Sequence, residues 1–286
     1  MKLGVSSYSL WQNIQSGELD LVGAVAKIAE LGGEHVEIVP LDCDLVGNPH
    51  LVEAIKSKAA EVGIEISNYA IGANFSGLND EEFEKEIERV KREVDVAAAL
   101  GAKLMRHDVA NSKDTSIRRF MADLPKLAEA CRRIADYAAQ FGITTSIENH
   151  GYYVQASDRV QAIVNEVARD NFRTTLDIGN FVCVDENPLV GIRNNIKIAS
   201  IVHVKDFYIR SESNNPGEGW FRSANGAYLR GAIAGQGDLD TRGALRVIKE
   251  AGFDGYLSIE FEGMEPCERA TKIALNHVRQ LWEEIQ

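Results

Sequence analysis

Residues 138–148, AAQFGITTSIE, carry the phrase that decides the fold. A helical pattern ends, Gly142 follows, and a β-rich run begins that stops on a carboxylate. The phrase recurs at 29–39 (AELGGEHVEIV), 59–69 (AAEVGIEISNY), 97–107 (AAALGAKLMRH) and 249–260 (KEAGFDGYLSIE). Gly32, Gly63, Gly101, Gly142 and Gly252 stand where a helix C-cap needs a left-handed residue, and glycine has no Cβ to clash there. Joints built alike imply serial βα units with parallel strands.

Eight strands are expected, centred near Val5, Val36, Ile66, Leu104, Ser146, Thr175, Val202 and Ser258. Eight such units close most naturally into a (β/α)8 TIM barrel, and 286 residues suit one barrel domain spanning 1–286. The competing fold, an open doubly wound sheet, advertises a glycine-rich phosphate turn after its first strand; here that turn reads SSYSLWQN. Asn79 and Glu82 form a capping-box pattern ahead of a helix with Phe83, Ile87, Val90 and Val94 on one face. The next helix carries Ile117, Phe120, Leu124, Leu127, Cys131 and Ile134 as one stripe, and Pro125 predicts a kink or short break in it. A last helix, near 266–284, sets Ile273, His277 and Leu281 along one side. No helix or strand is evident from about Phe207 to Gly237. A structureless stretch longer than roughly 15 residues is uncommon unless functional, so a long active-site loop, a lid or substrate wall, is expected there. A disordered insertion or an oligomer contact is the competing reading.

The formal net charge of −12 disfavours a phosphate backbone as partner and suits a small-molecule substrate. Four scattered cysteines, Cys43, Cys131, Cys183 and Cys267, show no CxxC spacing and read as buried thiols of a reducing cytosol. The opening MKLGVSSYSLW holds no signal peptide or membrane span. A cytoplasmic protein without nucleic-acid or membrane partner is expected, with a homodimer or homotetramer as a guess from how barrels pair.

Four of the strands end on side chains that bind metals: Glu148, Asp177, His203 and Glu260. Parallel barrel strands share one C-terminal rim, so these four face one another across the mouth. Three carboxylates and an imidazole suit one divalent cation, Mn²⁺ first, with Mg²⁺, Co²⁺ or Zn²⁺ as alternatives. Such a cation would stabilise an enediolate formed when a proton leaves the carbon beside a ketone. Glu148 and Glu260 are the expected catalytic bases, one removing a proton and the other returning it: to the same carbon for epimerisation, to its neighbour for isomerisation. Glu262 shares the face of Glu260 and is expected beside it as a supporting partner. Glu37, His107, His150, Asn180, Lys205 and Arg222 are the expected substrate-binding residues. Glu37 also qualifies as support for a metal ligand, and Lys205 as the partner of a carboxylate. His35, His50 and His277 read as structural or surface residues.

ENHG from Glu148, LDIGN around Asp177, HVKD from His203 and LSIE ending at Glu260 resemble, as an ordered set, the sugar phosphate isomerase/epimerase superfamily of xylose isomerase-like TIM barrels. The resemblance covers nearly the whole chain. It implies one divalent metal on Glu148, Asp177, His203 and Glu260, proton transfer by the two glutamates, and a sugar or cyclitol substrate. Many relatives carry a histidine where this chain has Asn180, so a specific ketose preference does not transfer. The long segment with Trp220 and Arg222 suggests a larger substrate, such as a keto-glycoside or an oxidised cyclitol. The leading expectation is a metal-dependent isomerase or epimerase of a keto sugar. A lyase or dehydratase with the same first step follows. A base-excision endonuclease of the same barrel, which would need a three-metal cluster and more histidines, and a non-catalytic sugar-binding barrel are more distant.

Overall fold

A computed structural model describes all 286 residues. In chain order the elements are β1 (Lys2–Ser6), α1 (Trp11–Gln15), α2 (Leu21–Leu31), β2 (His35–Ile38), α3 (Pro49–Val62), β3 (Glu65–Ile71), α4 (Asp80–Leu100), β4 (Leu104–His107), α5 (Ile117–Ala139), β5 (Thr144–Glu148), α6 (Ser157–Val167), β6 (Phe172–Asp177), α7 (Pro188–Asn195), β7 (Ala199–Val204), β8 (Asp206–Arg210), β9 (Phe221–Arg222), β10 (Tyr228–Ala232), α8 (Thr241–Glu250), β11 (Tyr256–Ile259) and α9 (Cys267–Glu284). The eight strands expected from sequence close into one parallel barrel in the order β1-β11-β7-β6-β5-β4-β3-β2. All five joint glycines have positive φ, from 66° at Gly142 to 94° at Gly32. Gly32, Gly63 and Gly101 cap α2, α3 and α4 directly, whereas α5 and α8 end on right-handed residues and turn back into the sheet at Gly142 and Gly252 just beyond.

The capping box at Asn79 and Glu82 is present, and Phe83, Ile87, Val90 and Val94 are buried under α4. α5 runs through Pro125 as one continuous helix, so the expected break is absent; Ile117 at its first position is 59% exposed and lies off the buried stripe. The buried face of α9 is Ala274, Leu275, Val278 and Leu281, with Ile273 and His277 at its flank. No disulfide forms, and Cys131, Cys183 and Cys267 are buried. No helix is long and apolar enough to cross a membrane.

At the floor of the barrel one glycine sets the packing. A Cβ on Gly4 would lie 2.2 Å from the carbonyl oxygen of His35 and 2.5 Å from its ring. His35 fills that space and bonds through Nε2 to the Leu257 carbonyl at 2.9 Å.

The segment from Phe207 to Gly237 is not structureless, which corrects the sequence reading. β8, β10 and β9 form a three-stranded antiparallel sheet. Its Phe207 and Leu229 face is buried against Val182 and Cys183, in the connection that follows β6. Asp206 secures its base: the carboxylate accepts from the backbone N–H groups of Phe207, Gly235, Gly237 and Leu239 at 2.8–3.2 Å. β10 also bridges to Gly263 beyond β11, so the small sheet is moored over the C-terminal ends of β6, β7 and β11.

Candidate metal centre

Strand register brings the four expected ligands together. Glu148 pairs with Thr175, two residues before Asp177; Asp177 pairs with His203; His203 pairs with Ser258, two residues before Glu260. Alternation along each strand then points all four side chains into the barrel mouth. One donor atom from each lies within 4.8 Å of every other, and all four residues are buried. His203 Nδ1 stands 3.5 Å from Glu260 Oε2, 3.7 Å from Glu148 Oε1 and 4.0 Å from Asp177 Oδ2. Donors about 2.1 Å from a shared cation lie up to about 4.2 Å apart, so a slight contraction would complete the shell.

The residues fit a metal for a second reason. His203 Nδ1 and Asp177 Oδ2 are buried and make no hydrogen bond, although the Lys205 ammonium stands 3.3 Å from that Asp177 oxygen as an ion-pair partner. Buried polar atoms are almost always partnered, and these two point at the same space. The other His203 nitrogen, Nε2, is 2.9 Å from Glu37 Oε2 and carries a proton toward it, which leaves Nδ1 facing inward as the atom that would meet a cation. Glu37 is itself held by Asn68 Nδ2 at 2.7 Å. Asp177 Oδ1 accepts from the backbone N–H of Gly179 and Asn180, at 2.7 and 2.9 Å, which leaves Oδ2 for the centre.

Electrostatics repeat the pattern. Burial, together with the Glu148 and Glu260 carboxylates, pushes Asp177 up to about 6 although Lys205 opposes it. Burial works against charge on Glu148, but Arg106 and His203 hold its carboxyl well below the usual range. Burial likewise opposes ionised Glu260, and Lys205 with His203 outweighs it. Burial disfavours the Lys205 ammonium, yet Asp177, Glu260 and Glu262 keep it charged. A cation on the four donors would relieve the repulsion among three clustered carboxylates.

Lys205 Nζ lies 2.7 Å from Glu260, 3.0 Å from Glu262 and 3.3 Å from Asp177, so it bridges the three carboxylates. Asn180 donates to Glu148 Oε1 at 3.0 Å. The cavity above the centre, about 200 Å³, is walled by Tyr8, Arg106, Asp108, His150, Lys205 and Glu262. His150 reaches it from beyond β5, with Nδ1 3.4 Å from Asp108 Oδ1.

Three expected substrate residues do not line the cavity: Asn180 is held against Glu148 and Lys205, and two others lie farther off. His107 is fully buried between Phe75 and Phe172, with Nδ1 on the Asp108 carbonyl, and does not line the cavity. The alternation that drives it outward drives its neighbour inward. Arg106 is the β4 residue that reaches the centre, with Nε 2.7 Å and Nη2 2.5 Å from Glu148 Oε2. Arg222 is spent within the small sheet, over the Tyr228 ring at 4.2 Å and bonded to the Tyr228 hydroxyl and the Gly226 carbonyl. Arg106, Asp108 and Tyr8 were missed in the sequence; only the period-two reading of LMRH could have found the first.

The family model for the xylose isomerase-like TIM barrel matches residues 25–281, and the chain belongs to that family. No curated protein matches the sequence. Among solved structures, the chain is similar to the apo 3-keto-D-glucoside 4-epimerase of E. coli, with 17% identity, 98% of this chain and 99% of that one covered, and a TM-score of 0.72. It is also similar to a probable 3-DHS dehydratase involved in petrobactin synthesis from Bacillus anthracis, with 16% identity, 98% and 99% covered, and a TM-score of 0.72. A third similar structure is the IOLI protein with a binding zinc atom, with 18% identity, 100% and 99% covered, and a TM-score of 0.76. At these identities the likeness shows the shared barrel.

Proposed function

We propose that this xylose isomerase-like barrel is a divalent-metal-dependent isomerase or epimerase of a keto sugar or related polyol ketone. The observation that carries the reading is the convergence of Glu148, Asp177, His203 and Glu260, with His203 Nδ1 and Asp177 Oδ2 buried, without a hydrogen bond and facing one space. The epimerase among the similar structures and the family membership support it. Mn²⁺ is the first choice for an oxygen-rich shell with one imidazole, and Mg²⁺, Co²⁺ and Zn²⁺ also suit it.

When bound, the cation supplies Lewis acidity toward the ketone oxygen and the hydroxyl beside it. The chain supplies the rest. Glu37 fixes the His203 tautomer, and Arg106 with Asn180 fixes both oxygens of Glu148. Glu260 and Glu148 stand on strands separated by β6 and β7 in the ring, so they flank a substrate from two sides. One removes the carbon-bound proton and the other returns a proton from the opposite side. His150, Asp108 and Tyr8 line the same cavity and offer hydrogen bonds to sugar hydroxyls.

A second reading, elimination from the same carbanionic state, is favoured by one observation. Lys205 is a buried ammonium 2.7 Å from Glu260, positioned to protonate a departing oxygen. Incubation of metal-loaded protein with keto sugars in deuterated water tests both. Epimerisation or isomerisation places solvent deuterium on the carbon beside or next to the ketone, whereas elimination gives an unsaturated product without that reprotonation. Glu260→Gln is expected to lower exchange by about 10²–10⁴-fold. Full turnover by that variant would contradict the assignment of Glu260 as a base.

A further inference from the structure

The cavity above the centre carries more negative charge than one metal ion offsets. Five carboxylates line it, Glu37, Asp108, Glu148, Glu260 and Glu262, against two permanent cations, Arg106 and Lys205. Asp177 adds a sixth acid among the four metal donors. A divalent cation on those donors, with one of the cavity's histidines protonated as well, still leaves the balance negative.

Neither side-chain cation is free. Arg106 is committed to Glu148 through Nε and Nη2, and through Nη1 to the Ile71 carbonyl at 3.0 Å and Asp108 at 3.5 Å. Lys205 bridges Glu260, Glu262 and Asp177. Phosphate and carboxylate groups are gripped by guanidinium or ammonium donors that can turn toward them, and here those groups are already taken.

The acids fall into two tiers. The side chains of Glu37, Glu148, Asp177 and Glu260 are 10% exposed or less, whereas those of Asp108 and Glu262 are 26% and 34% exposed. The first four build the metal centre at the floor of the cavity, and the other two line it nearer to solvent. Asp108 follows β4 and Glu262 follows β11. Three strands separate β4 from β11 on either side of the ring, so the two carboxylates stand on opposite sides of the mouth.

We infer that Asp108 and Glu262 form a charge filter at the entrance, and that the substrate is an uncharged keto sugar with neither a phosphate nor a carboxylate group. The inference rests on the keto-sugar reading above and narrows it. Sugar hydroxyls donate to carboxylates, whereas an anionic group meets like charge from both sides of the mouth. The filter therefore works by repelling the wrong ligand as well as by holding the right one.

Ligand pairs that differ only in a phosphate test it: D-fructose with D-fructose 6-phosphate, and D-ribulose with D-ribulose 5-phosphate. Each is titrated calorimetrically into protein loaded with Mn²⁺ and freed of excess metal. The neutral sugar of each pair is expected to bind about tenfold more tightly at low salt, and the ratio should shrink as salt rises. Asp108→Asn and Glu262→Gln should each narrow the ratio about threefold, and the double variant should bring it near unity. Glu81→Gln, at an exposed position of α4, should leave it unchanged. Equal or tighter binding of the phosphates by the unsubstituted protein, no binding of any of the four ligands, or a ratio that survives in the double variant would overturn the inference. Solvent deuterium in the recovered sugars separates the two proposals. A neutral preference without exchange keeps the filter and removes the reaction; equal exchange in neutral and phosphorylated sugars removes the filter alone.

Discussion

Glu37 shows how much of the proposed metal centre lies outside its four candidate ligands. Its carboxylate is fully buried, and one oxygen, Oε2, bonds both His203 Nε2 and Asn68 Nδ2, while Oε1 makes no hydrogen bond. Replacement by Gln keeps the shape but removes the anion that orients and enriches the imidazole. Glu37→Gln is expected to weaken manganese binding by about 10–100-fold with little change in fold, read by calorimetric titration. An unchanged affinity would mean that His203 is oriented by packing alone. The four converging side chains were legible in the sequence because each ends a β-rich run, a local signal. Arg106 was not, since its role depends on which side of β4 faces the mouth. His107 and Arg222 carried the right chemistry, but the structure commits one to a buried aromatic niche and the other to its own sheet.

At the scale of elements, the helix–glycine–strand joints were readable because a left-handed cap is decided within a few residues. The small sheet was not, because β8 and β10 pair across an interval rich in glycine and asparagine, and β9 has two residues. DFYIR and YLRGA alternate apolar with polar side chains, but only pairing makes them strands. Asp206 is the device that holds this sheet, and Asp206→Ala would leave the N–H groups of Gly235, Gly237 and Leu239 without their acceptor. Faster amide exchange at those three positions, with the barrel strands still protected, is the expected result. On the opposite face of the barrel, Gly4→Ala would drive a Cβ into the His35 backbone and ring. A loss of about 1–3 kcal/mol in denaturant unfolding is expected, as for other overpacked cores.

For the whole molecule, the buried histidines outside the centre set an acid limit on stability. Burial lowers both His35 and His107 to about 4 from an ordinary 6.5. Between those values the unfolded chain binds protons that the folded chain refuses. Their stabilising effect is therefore complete above pH 6.5 and is lost as pH falls toward 4. His107→Leu removes one such site. Compared with the variant, the unsubstituted protein should lose up to about 1.4 kcal/mol more per pH unit across that window, measured by urea unfolding at a series of pH values. Parallel pH profiles would show that His107 takes up its proton without unfolding.

The barrel, its single buried donor set and its acidic surface all lead to one cation at the mouth. Metal content per chain, measured on protein purified without chelator and then loaded with manganese, tests this most directly. The account predicts about one equivalent, lost in Asp177→Ala. No retained metal in the unsubstituted protein would contradict it, and about three zinc ions per chain would point instead to phosphodiester chemistry.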